Sequence, residues 1–329
     1  MGRMTQELLG IHHVTAMTHS AERNYHFMTE VLGMRLVKKT VNQDDIQTYH
    51  TFYADDQGLA GTDLTFFDFP NIQQGVRGTN SITRIALRVP SDRALEYYRD
   101  RFESYQVKHK DIQEVFGTKV LPFEEEDGQR YQLISDEHNQ GVRPGIPWQE
   151  GPVPKEMAIY GLGPIEITVS YYQEFKQLMQ DVYGFRIVAE EPDATLLEIG
   201  EGGNGGQMIL RHNSKGRQSV QGYGEVHHVA FRVQDQVALQ EWLERYQALE
   251  IRNSGLVDRF YFGALYARMG HILIELSTDG PGFDTDEPYE TMGETLSLPP
   301  FLESKRDHIE SVIRPFDTSL DHLRRNQNE

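Results

Sequence analysis

Hydrophobic residues recur along this chain in four segments of the same kind. Each segment opens with a short run rich in β-branched residues, continues with apolar residues at helical spacing, and closes with further β-rich runs. The opening runs are residues 10–18, 81–89, 163–170 and 225–233. We therefore predict four βαβββ modules, which define an α+β fold.

Glycine positions support this division. Gly33 and Gly184 follow the last apolar position of the helical stretches in the first and third modules, where a helix C-terminus is typical. Gly61 and Gly270 precede the last β-rich runs of the first and fourth modules, at turns that often require a positive φ. These positions predict where the helices stop and where the closing strands begin.

Proline and glycine are concentrated near the middle of the chain, in residues 141–157, and this composition is typical of a linker. We predict an N-terminal domain over residues 10–140, made of modules 1 and 2. A C-terminal domain over residues 158–280 would contain modules 3 and 4. Residues 281–329 would form a C-terminal extension with a loop, a helix and a solvated tail over 321–329.

The composition excludes several kinds of protein. The chain has 329 residues, no cysteine and a formal net charge of -18. Disulfide frameworks, thiolate metal sites and thiol nucleophiles are therefore excluded, and nucleic acid is disfavoured as a partner. No apolar run approaches the ~20 residues needed to cross a bilayer, and the N-terminus lacks the features of a secretory signal. We expect a cytoplasmic protein with no membrane partner, whose metals are held by imidazole and carboxylate.

Histidine pairs occupy the same place in the first and fourth modules, and they are His12 with His13 and His227 with His228. Because side chains alternate faces along a strand, only one histidine of each pair can face a given cavity. His227 shares its face with bulky apolar residues that belong against a helix, whereas His228 shares its face with Ala230. By this parity His13 and His228 face the cavity, and we predict that they are metal ligands.

A carboxylate lies in the closing strand of the fourth module. Glu275 stands in the apolar run 271–277, where a charge is costly unless a cation compensates it, so we predict that it is the third ligand. Aligning Gly61 with Gly270 places Phe66 at the position of Glu275, so the first module supplies no fourth ligand. Two imidazoles and one carboxylate leave open positions for substrate and O2, as in non-heme Fe(II) oxygenases.

The other histidines are assigned no role at the metal. Those without matching geometry are interpreted as structural or surface residues, and they are His50, His138, His212 and His271. Those expected to face solvent are His19, His26, His109, His308 and His322.

The four modules together resemble the vicinal oxygen chelate superfamily, which includes glyoxalase I, bleomycin-resistance proteins and extradiol dioxygenases. The resemblance covers nearly the whole chain. Residues 32–45, 49–67, 258–283 and 296–303 are similar to the hydroquinone-type ring-cleaving dioxygenases of that superfamily. The resemblance implies two half-open β-barrel domains, with metal ligands on the inner face of a cup and drawn from the first and last modules.

The resemblance also implies an extradiol-type ring-cleaving dioxygenase, which acts on a hydroquinone-type or catechol-type aromatic substrate with O2. Its cofactor would be Fe(II), with Mn(II) as the alternative metal. Tyr266 would donate a hydrogen bond or proton, and Arg259 would hold an anionic oxygen. His12, His227 and Thr15 would orient ligands or relay protons. Barrel edges in this superfamily often pair, so a homo-oligomer is compatible with the resemblance.

Two other functions stay open at this point. One is a glyoxalase-like isomerase that uses Ni(II) or Zn(II), which normally has a further ligand at the position assigned to Phe66. The other is a non-catalytic protein that binds an aromatic drug or a quinone, as resistance proteins do. We favour the dioxygenase because the position of Phe66 carries no ligand.

Overall fold

The computed structural model describes residues 6–320 and contains the four predicted modules. Module 1 comprises β1 (Ile11–Met17), α1 (Ala21–His26), a π-helical turn (Phe27–Val31), β2 (Arg35–Asn42), β3 (Asp45–Ala54) and β4 (Asp63–Asp68). Module 2 comprises β5 (Ser81–Val89), α2 (Asp92–Ser104), β6 (Lys108–His109), β7 (Gln113–Val115), β8 (Thr118–Glu124) and β9 (Arg130–Ser135).

The second half of the chain repeats this order. Module 3 comprises β10 (Ile165–Val169), α3 (Tyr172–Tyr183), β11 (Arg186–Glu191), β12 (Ala194–Glu198), a 3-10 turn (Asn204–Gly206) and β13 (Gln207–His212). Module 4 comprises β14 (Val226–Val233), α4 (Gln236–Ala248), β15 (Asn253–Asp258), β16 (Phe262–Met269) and β17 (Ile272–Pro281). Two 3-10 turns (Phe283–Thr285 and Tyr289–Thr291), α5 (Pro300–Glu303) and α6 (Arg306–Val312) follow.

The first helix is less regular than its sequence pattern predicts. α1 begins after Ser20, whose hydroxyl accepts a hydrogen bond from the backbone N–H of Arg23. At Phe27 it passes into the π-helical turn, which ends at Val31. Gly33 then adopts a φ of 74°, the left-handed conformation expected after a helix C-terminus. The predicted end of the helix is confirmed, but its last turn is wider than an α-helical turn.

Each of the two sheets combines one module from each half of the chain. One sheet has the order β15-β16-β17-β14-β1-β4-β3-β2, and the other has the order β11-β12-β13-β10-β5-β9-β8-β6, with β7 paired to β8. The opening strands join the modules, because β1 pairs antiparallel with β14 and β5 pairs antiparallel with β10. Modules 1 and 4 therefore form one half-open barrel, and modules 2 and 3 form the other.

This pairing corrects the predicted domains. Assigning one barrel to residues 10–140 and the other to residues 158–280 is wrong, because neither sheet is confined to one half of the chain. The four modules are as predicted, and only their partners differ. The apolar patterns of the four opening strands do not encode which two of them pair. The histidine pairs shared by the first and fourth modules are the sequence feature that agrees with the observed pairing.

The main hydrophobic core lies between the sheets and the helices. Val14 on β1 and Phe66 on β4 are buried in it together with Met28 from the π-helical turn. Strand residues of the opposite parity point away from this core, into the cup of the sheet. Within residues 6–320 no helix is long and apolar enough to cross a bilayer.

The predicted linker over residues 141–157 has no helix or strand, but it is packed against the modules. Trp148 in this segment is only 2% exposed. Asp55, after β3, accepts a hydrogen bond of 2.8 Å from the backbone N–H of Ile146, and Asp56 accepts one of 2.9 Å from Gln149. The segment is therefore hydrogen-bonded to module 1 at Ile146 and Gln149, and Val142 at its start donates a backbone hydrogen bond to Gly202 of module 3.

The C-terminal extension is also part of the folded structure as far as residue 320. Ile309 on α6 is buried in the main core. Lys38 on β2, whose side chain is 0% exposed, forms an ion pair of 2.7 Å with Asp286 and a second one with Glu287. The predicted solvated tail, residues 321–329, lies outside the described residues.

Candidate metal centre

Three neighbouring strands place the three predicted ligands together. His13 lies on β1, His228 on β14 and Glu275 on β17, and β14 is the middle strand of the three. In the pairing register both His13 and Glu275 stand opposite Ala230, whose small side chain leaves room between them. Among the described residues, these three form a group of histidine and carboxylate side chains that could hold a metal ion.

The ligand atoms form a compact triangle. His228 Nε2 lies 2.8 Å from Glu275 Oε2, and His13 Nε2 lies 3.2 Å from the same oxygen. The two Nε2 atoms are 3.2 Å apart. Metal–ligand bonds of about 2.1 Å at right angles place neighbouring donor atoms roughly 3 Å apart. The triangle therefore fits one face of an octahedron around a metal ion.

The neighbouring histidine fixes the orientation of each imidazole ligand. His12 Nε2 donates to the backbone carbonyl of Thr278 at 3.0 Å, so its Nδ1 is free to accept from His13 Nδ1 at 2.9 Å. The lone pair of His13 Nε2 then faces the centre of the triangle. His227 Nδ1 lies 2.8 Å from His228 Nδ1, so a hydrogen bond between these atoms orients the second imidazole. Burial lowers the pKa values of His12 and His227 to about 3, so both rings are neutral.

His12 does not follow the predicted alternation. The pairing of β1 with β14 shifts by one residue between Ile11 and His13, which is a β-bulge at His12. The bulge turns His12 away from the helices, to which strict parity assigns it. Its ring lies 5.3 Å from the ring of Phe262, and the ring of His13 lies at the same distance from Phe262.

Glu275 is an ionised carboxylate that is 0% exposed. Burial raises the pKa of Glu275, but the imidazoles of His13 and His228 outweigh that effect and hold the pKa well below its usual range. Ser277 Oγ donates to Oε1 at 2.8 Å, which leaves Oε2 directed at the two imidazoles. A buried carboxylate facing two imidazoles is a donor set that a divalent cation satisfies.

The position in module 1 that is equivalent to Glu275 in module 4 is occupied by Thr65 and not by the predicted Phe66. Thr15 on β1 pairs with Thr65 on β4, in the same way that Ala230 pairs with Glu275 in module 4. Phe66 points into the hydrophobic core instead. The alignment of the two glycines is therefore wrong by one residue, yet the fourth position still carries no carboxylate.

A cavity of about 180 Å3 opens onto the triangle. Its aromatic lining residues are Phe52, Phe67, Phe69, Tyr261, Phe262 and Tyr266. A cavity of about 150 Å3 with apolar walls accommodates benzene. The space beside the ligands is therefore suited in size and chemistry to a small aromatic ring.

Tyr266 and Arg259 line this cavity as a bonded pair. Arg259 Nε donates to the Tyr266 hydroxyl at 3.1 Å, and the guanidinium group also forms an ion pair of 2.9 Å with Asp44. Burial, together with the negative charge of Glu275, holds the pKa of Tyr266 well above its usual range. Tyr266 therefore stays protonated and can donate a hydrogen bond, and the Glu275 carboxylate is one neighbouring acceptor.

His50, which was predicted to be a structural or surface residue, lines the same cavity. Its Nε2 lies 3.0 Å from the hydroxyl of Thr65. The alternation of residues 49–55 puts His50 on the same strand face as Phe52, and that shared face is directed at the cavity only in the folded protein. His271 lies at a separate polar cavity, whose wall it shares with His227.

The remaining histidines lie away from the centre. The ring of His212 packs against the ring of Tyr172, and His138 lines a cavity in the other barrel. His19, His26 and His308 are exposed as predicted, His109 is half-buried, and His322 lies outside the described residues.

The other barrel carries an ion triad where the first carries the three predicted metal ligands. Counted from the start of each module, Arg84 corresponds to His13 and Glu166 to His228. Arg211 stands opposite Thr168 in register, as Glu275 stands opposite Ala230. Arg211 Nε lies 2.6 Å from Glu166 Oε2, and Arg84 Nε lies 3.6 Å from Oε1. Two of these three side chains are cations, so the triad is not a metal site.

Comparison with known proteins gives the family. The sequence profile of the Glyoxalase/Bleomycin resistance protein/Dioxygenase superfamily matches residues 10–133 and 161–283. The chain belongs to this superfamily, and the expected family resemblance is confirmed.

Particular relatives match almost the whole chain. It is 44% identical, over 93% of its length and 98% of the relative, to "Putative ring-cleaving dioxygenase MhqA" of Bacillus subtilis. It is 28% identical, over 94% of its length and 97% of the relative, to "Chlorohydroquinone/hydroquinone 1,2-dioxygenase" of Sphingobium indicum.

Solved structures show the same fold. The crystal structure of a putative dioxygenase from Bacillus subtilis superposes with a TM-score of 0.88 at 32% identity, covering 96% of this chain and 99% of that one. Glyoxalase I from Zea mays superposes with a TM-score of 0.58 at 14% identity, covering 84% of this chain and 93% of that one, and supports the fold alone.

Proposed function

We propose that this protein is an Fe(II)-dependent ring-cleaving dioxygenase that acts on hydroquinone-type aromatic compounds with O2. The observation that carries the proposal is the arrangement of His13, His228 and Glu275, with the hydroxyl of Thr65 at the fourth position. Two imidazoles and one carboxylate on one face of an ion leave adjacent positions for a substrate oxygen and for O2. The relatives named as ring-cleaving dioxygenases support the same chemistry.

Iron is preferred over other metals on the chemistry of the donor set. A set of two imidazoles and one carboxylate with open positions is the one used by non-heme Fe(II) oxygenases, and Mn(II) is the alternative. When bound, the metal would bring the aromatic substrate and O2 together and carry electrons between them. His12 and His227 would keep the two imidazole ligands in the required tautomer through the Nδ1 contacts described above.

The side chains around the cavity would bind and orient the ring. Aromatic walls on several sides would hold it and exclude water. Tyr266 would donate its proton to a substrate oxygen, because Arg259 Nε already donates to the Tyr266 oxygen. Arg259 would also stabilise negative charge on the substrate oxygen. Thr15, at 3.0 Å from His228 Nε2, would accept or donate a hydrogen bond beside the ligand face.

The proposed cleavage breaks the ring bond next to the hydroxyl-bearing carbon, as an extradiol-type enzyme does. The direct experiment is oxygen uptake after anaerobic loading with Fe(II), measured with a panel of hydroquinones and catechols. We expect uptake with hydroquinones and a ring-opened product that contains both oxygen atoms of isotopically labelled O2. A protein with one iron per chain that is inert to the whole panel would refute the proposal.

Two further assays separate the competing functions. A glyoxalase-like isomerase would convert a hemithioacetal when loaded with Ni(II) or Zn(II), and we expect no such conversion because Thr65 replaces the fourth carboxylate. A non-catalytic aromatic-binding protein would bind its ligand equally well after treatment with a chelator. For the proposed enzyme, the chelator should abolish oxygen uptake and ferrous iron should restore it.

A further inference from the structure

A chain of hydrogen-bonding side chains runs from the metal centre to His50. Thr15 Oγ1 lies 3.0 Å from His228 Nε2 and 2.7 Å from Thr65 Oγ1. Thr65 Oγ1 lies in turn 3.0 Å from His50 Nε2. Both threonines are 0% exposed, so bulk water does not compete for their hydroxyl groups. The ligand face of the metal centre is thus connected to His50 through two buried hydroxyls.

The ring of His50 is held in place by aromatic neighbours. Its centroid lies 4.0 Å from that of Phe52 and 4.4 Å from that of Phe67. Burial, and then the nearby His13 and His228, hold the pKa of His50 well below its usual range. The ring is therefore neutral, with a proton on one nitrogen and a lone pair on the other. The nitrogen that carries the proton decides whether Nε2 donates to Thr65 or accepts from it.

The chemistry at the metal centre selects the direction of the chain. A hydroxyl or water bound to a metal ion is a strong hydrogen-bond donor, because its acidity is raised by the ion. With an ion bound, the lone pair of His228 Nε2 would be committed to it, so Thr15 Oγ1 could accept from a bound hydroxyl but could not donate to that nitrogen. Thr15 would therefore donate to Thr65, and Thr65 would donate to His50 Nε2.

We propose that His50 is a positioning residue for the reaction proposed above, on which this inference rests. By accepting at Nε2 and carrying its proton on Nδ1, His50 orders the hydroxyls of Thr65 and Thr15 so that Thr15 presents a lone pair to the substrate hydroxyl at the metal. The opposite tautomer would reverse the chain. The hydroxyl proton of Thr15 would then face the hydroxyl proton of the substrate, and the substrate hydroxyl would lose its acceptor.

The tautomer of His50 can be read without any turnover. Nitrogen–proton NMR of the protein loaded with diamagnetic Zn(II) distinguishes a ring protonated at Nδ1 from one protonated at Nε2. We expect the Nδ1-protonated form in wild type and in Thr65→Ser, which keeps the hydroxyl. In Thr65→Val the Nε2 acceptor loses its donor, so the His50 signals should shift. An Nε2-protonated His50 in the loaded wild-type protein would overturn the proposal.

Kinetics of the iron-loaded protein provide the second readout. Loss of one hydrogen bond in the transition state corresponds to about a tenfold fall in kcat. We expect that fall in Thr65→Val and in His50→Leu, and no further fall in the double variant, because both substitutions break the same chain. Iron content should stay at the wild-type value in all three, because no ligand is changed. Additive losses would contradict a shared chain.

A matched control exists in the other barrel. Thr168 Oγ1 lies 2.9 Å from Thr83 Oγ1, a hydroxyl pair of the same kind with no connection to the metal ligands. Thr168→Val should leave kcat unchanged, and an equal fall there would attribute the effect to general destabilisation. If the wild-type protein consumes no O2 with any substrate, the proposed function fails. The NMR measurement would still decide the direction of the chain.

Discussion

Thr65 on β4 and Glu275 on β17 occupy equivalent positions in the first and fourth modules. Thr65 pairs with Thr15, two residues after His13, and Glu275 pairs with Ala230, two residues after His228. One position carries a buried hydroxyl and the other a buried carboxylate. The proposed centre therefore has three candidate protein ligands where a symmetrical pair of modules would supply four. In the proposed enzyme this asymmetry would leave positions at the metal for other molecules.

Restoring the symmetry should remove the oxygenase activity. In Thr65→Glu a second carboxylate would reach the open side of the centre, so we expect at least a hundredfold loss of oxygen uptake with retained or increased metal binding. Metal analysis and an oxygen electrode check this expectation. Full oxygen uptake in a variant that binds metal would show that the Thr65 side is not an open position.

Replacing a metal ligand should abolish metal binding but leave the fold intact. In His228→Ala we expect iron content below a tenth of the wild-type value, because two side chains do not hold Fe(II) strongly. Circular dichroism should be unchanged. His212→Ala, which removes a histidine far from the centre, serves as the control and should keep its iron. Stoichiometric iron in His228→Ala would contradict the ligand assignment.

Glu125 makes stability depend on pH in a predictable direction. Burial, and then the neighbouring Asp127, raise the pKa of the Glu125 carboxyl from 4.5 to about 8. Between about pH 4.5 and pH 8 the Glu125 carboxyl is protonated in the folded state and ionised in the unfolded state. The free energy of unfolding therefore falls as the pH rises through this range. Glu125→Gln removes this titration and should be more stable than wild type by up to about 5 kcal/mol at pH 9, with no such gain at pH 4.

Urea unfolding at the two pH values measures this difference. Glu126→Gln is the matched control, because the side chain of Glu126 is 81% exposed. It should show the same pH dependence as wild type. An equal effect of both substitutions would point to net charge instead of to the buried carboxyl.

Lys38 should be the main anchor of the C-terminal extension. Its buried ammonium group pairs with Asp286 and Glu287, so Lys38→Met would leave two carboxylates without their cation. We expect a loss of about 3–5 kcal/mol in the free energy of unfolding. Limited proteolysis should then cut within residues 281–320. Lys176→Met, which breaks an ion pair with the exposed Glu190, should cost less than about 1 kcal/mol.

The sequence by itself determined the four modules and the group of residues that converge at the centre. The repeat is readable because the periods of helix and strand are local properties of the chain. His13, His228 and Glu275 could be selected because polar groups in apolar strands are costly without a partner. That argument needs only the alternation of side chains along a single strand.

Only the tertiary structure decided which modules pair and what surrounds the three residues. The pairing of β1 with β14 depends on the strand edges that meet when the chain folds, and the apolar patterns of the four opening strands do not encode it. The bulge at His12 and the one-residue register of Thr65 each change which side chain faces the cup. Strand alternation is local, whereas bulges and register belong to pairs of strands, and for that reason His50 and Thr65 came into view only in the folded protein.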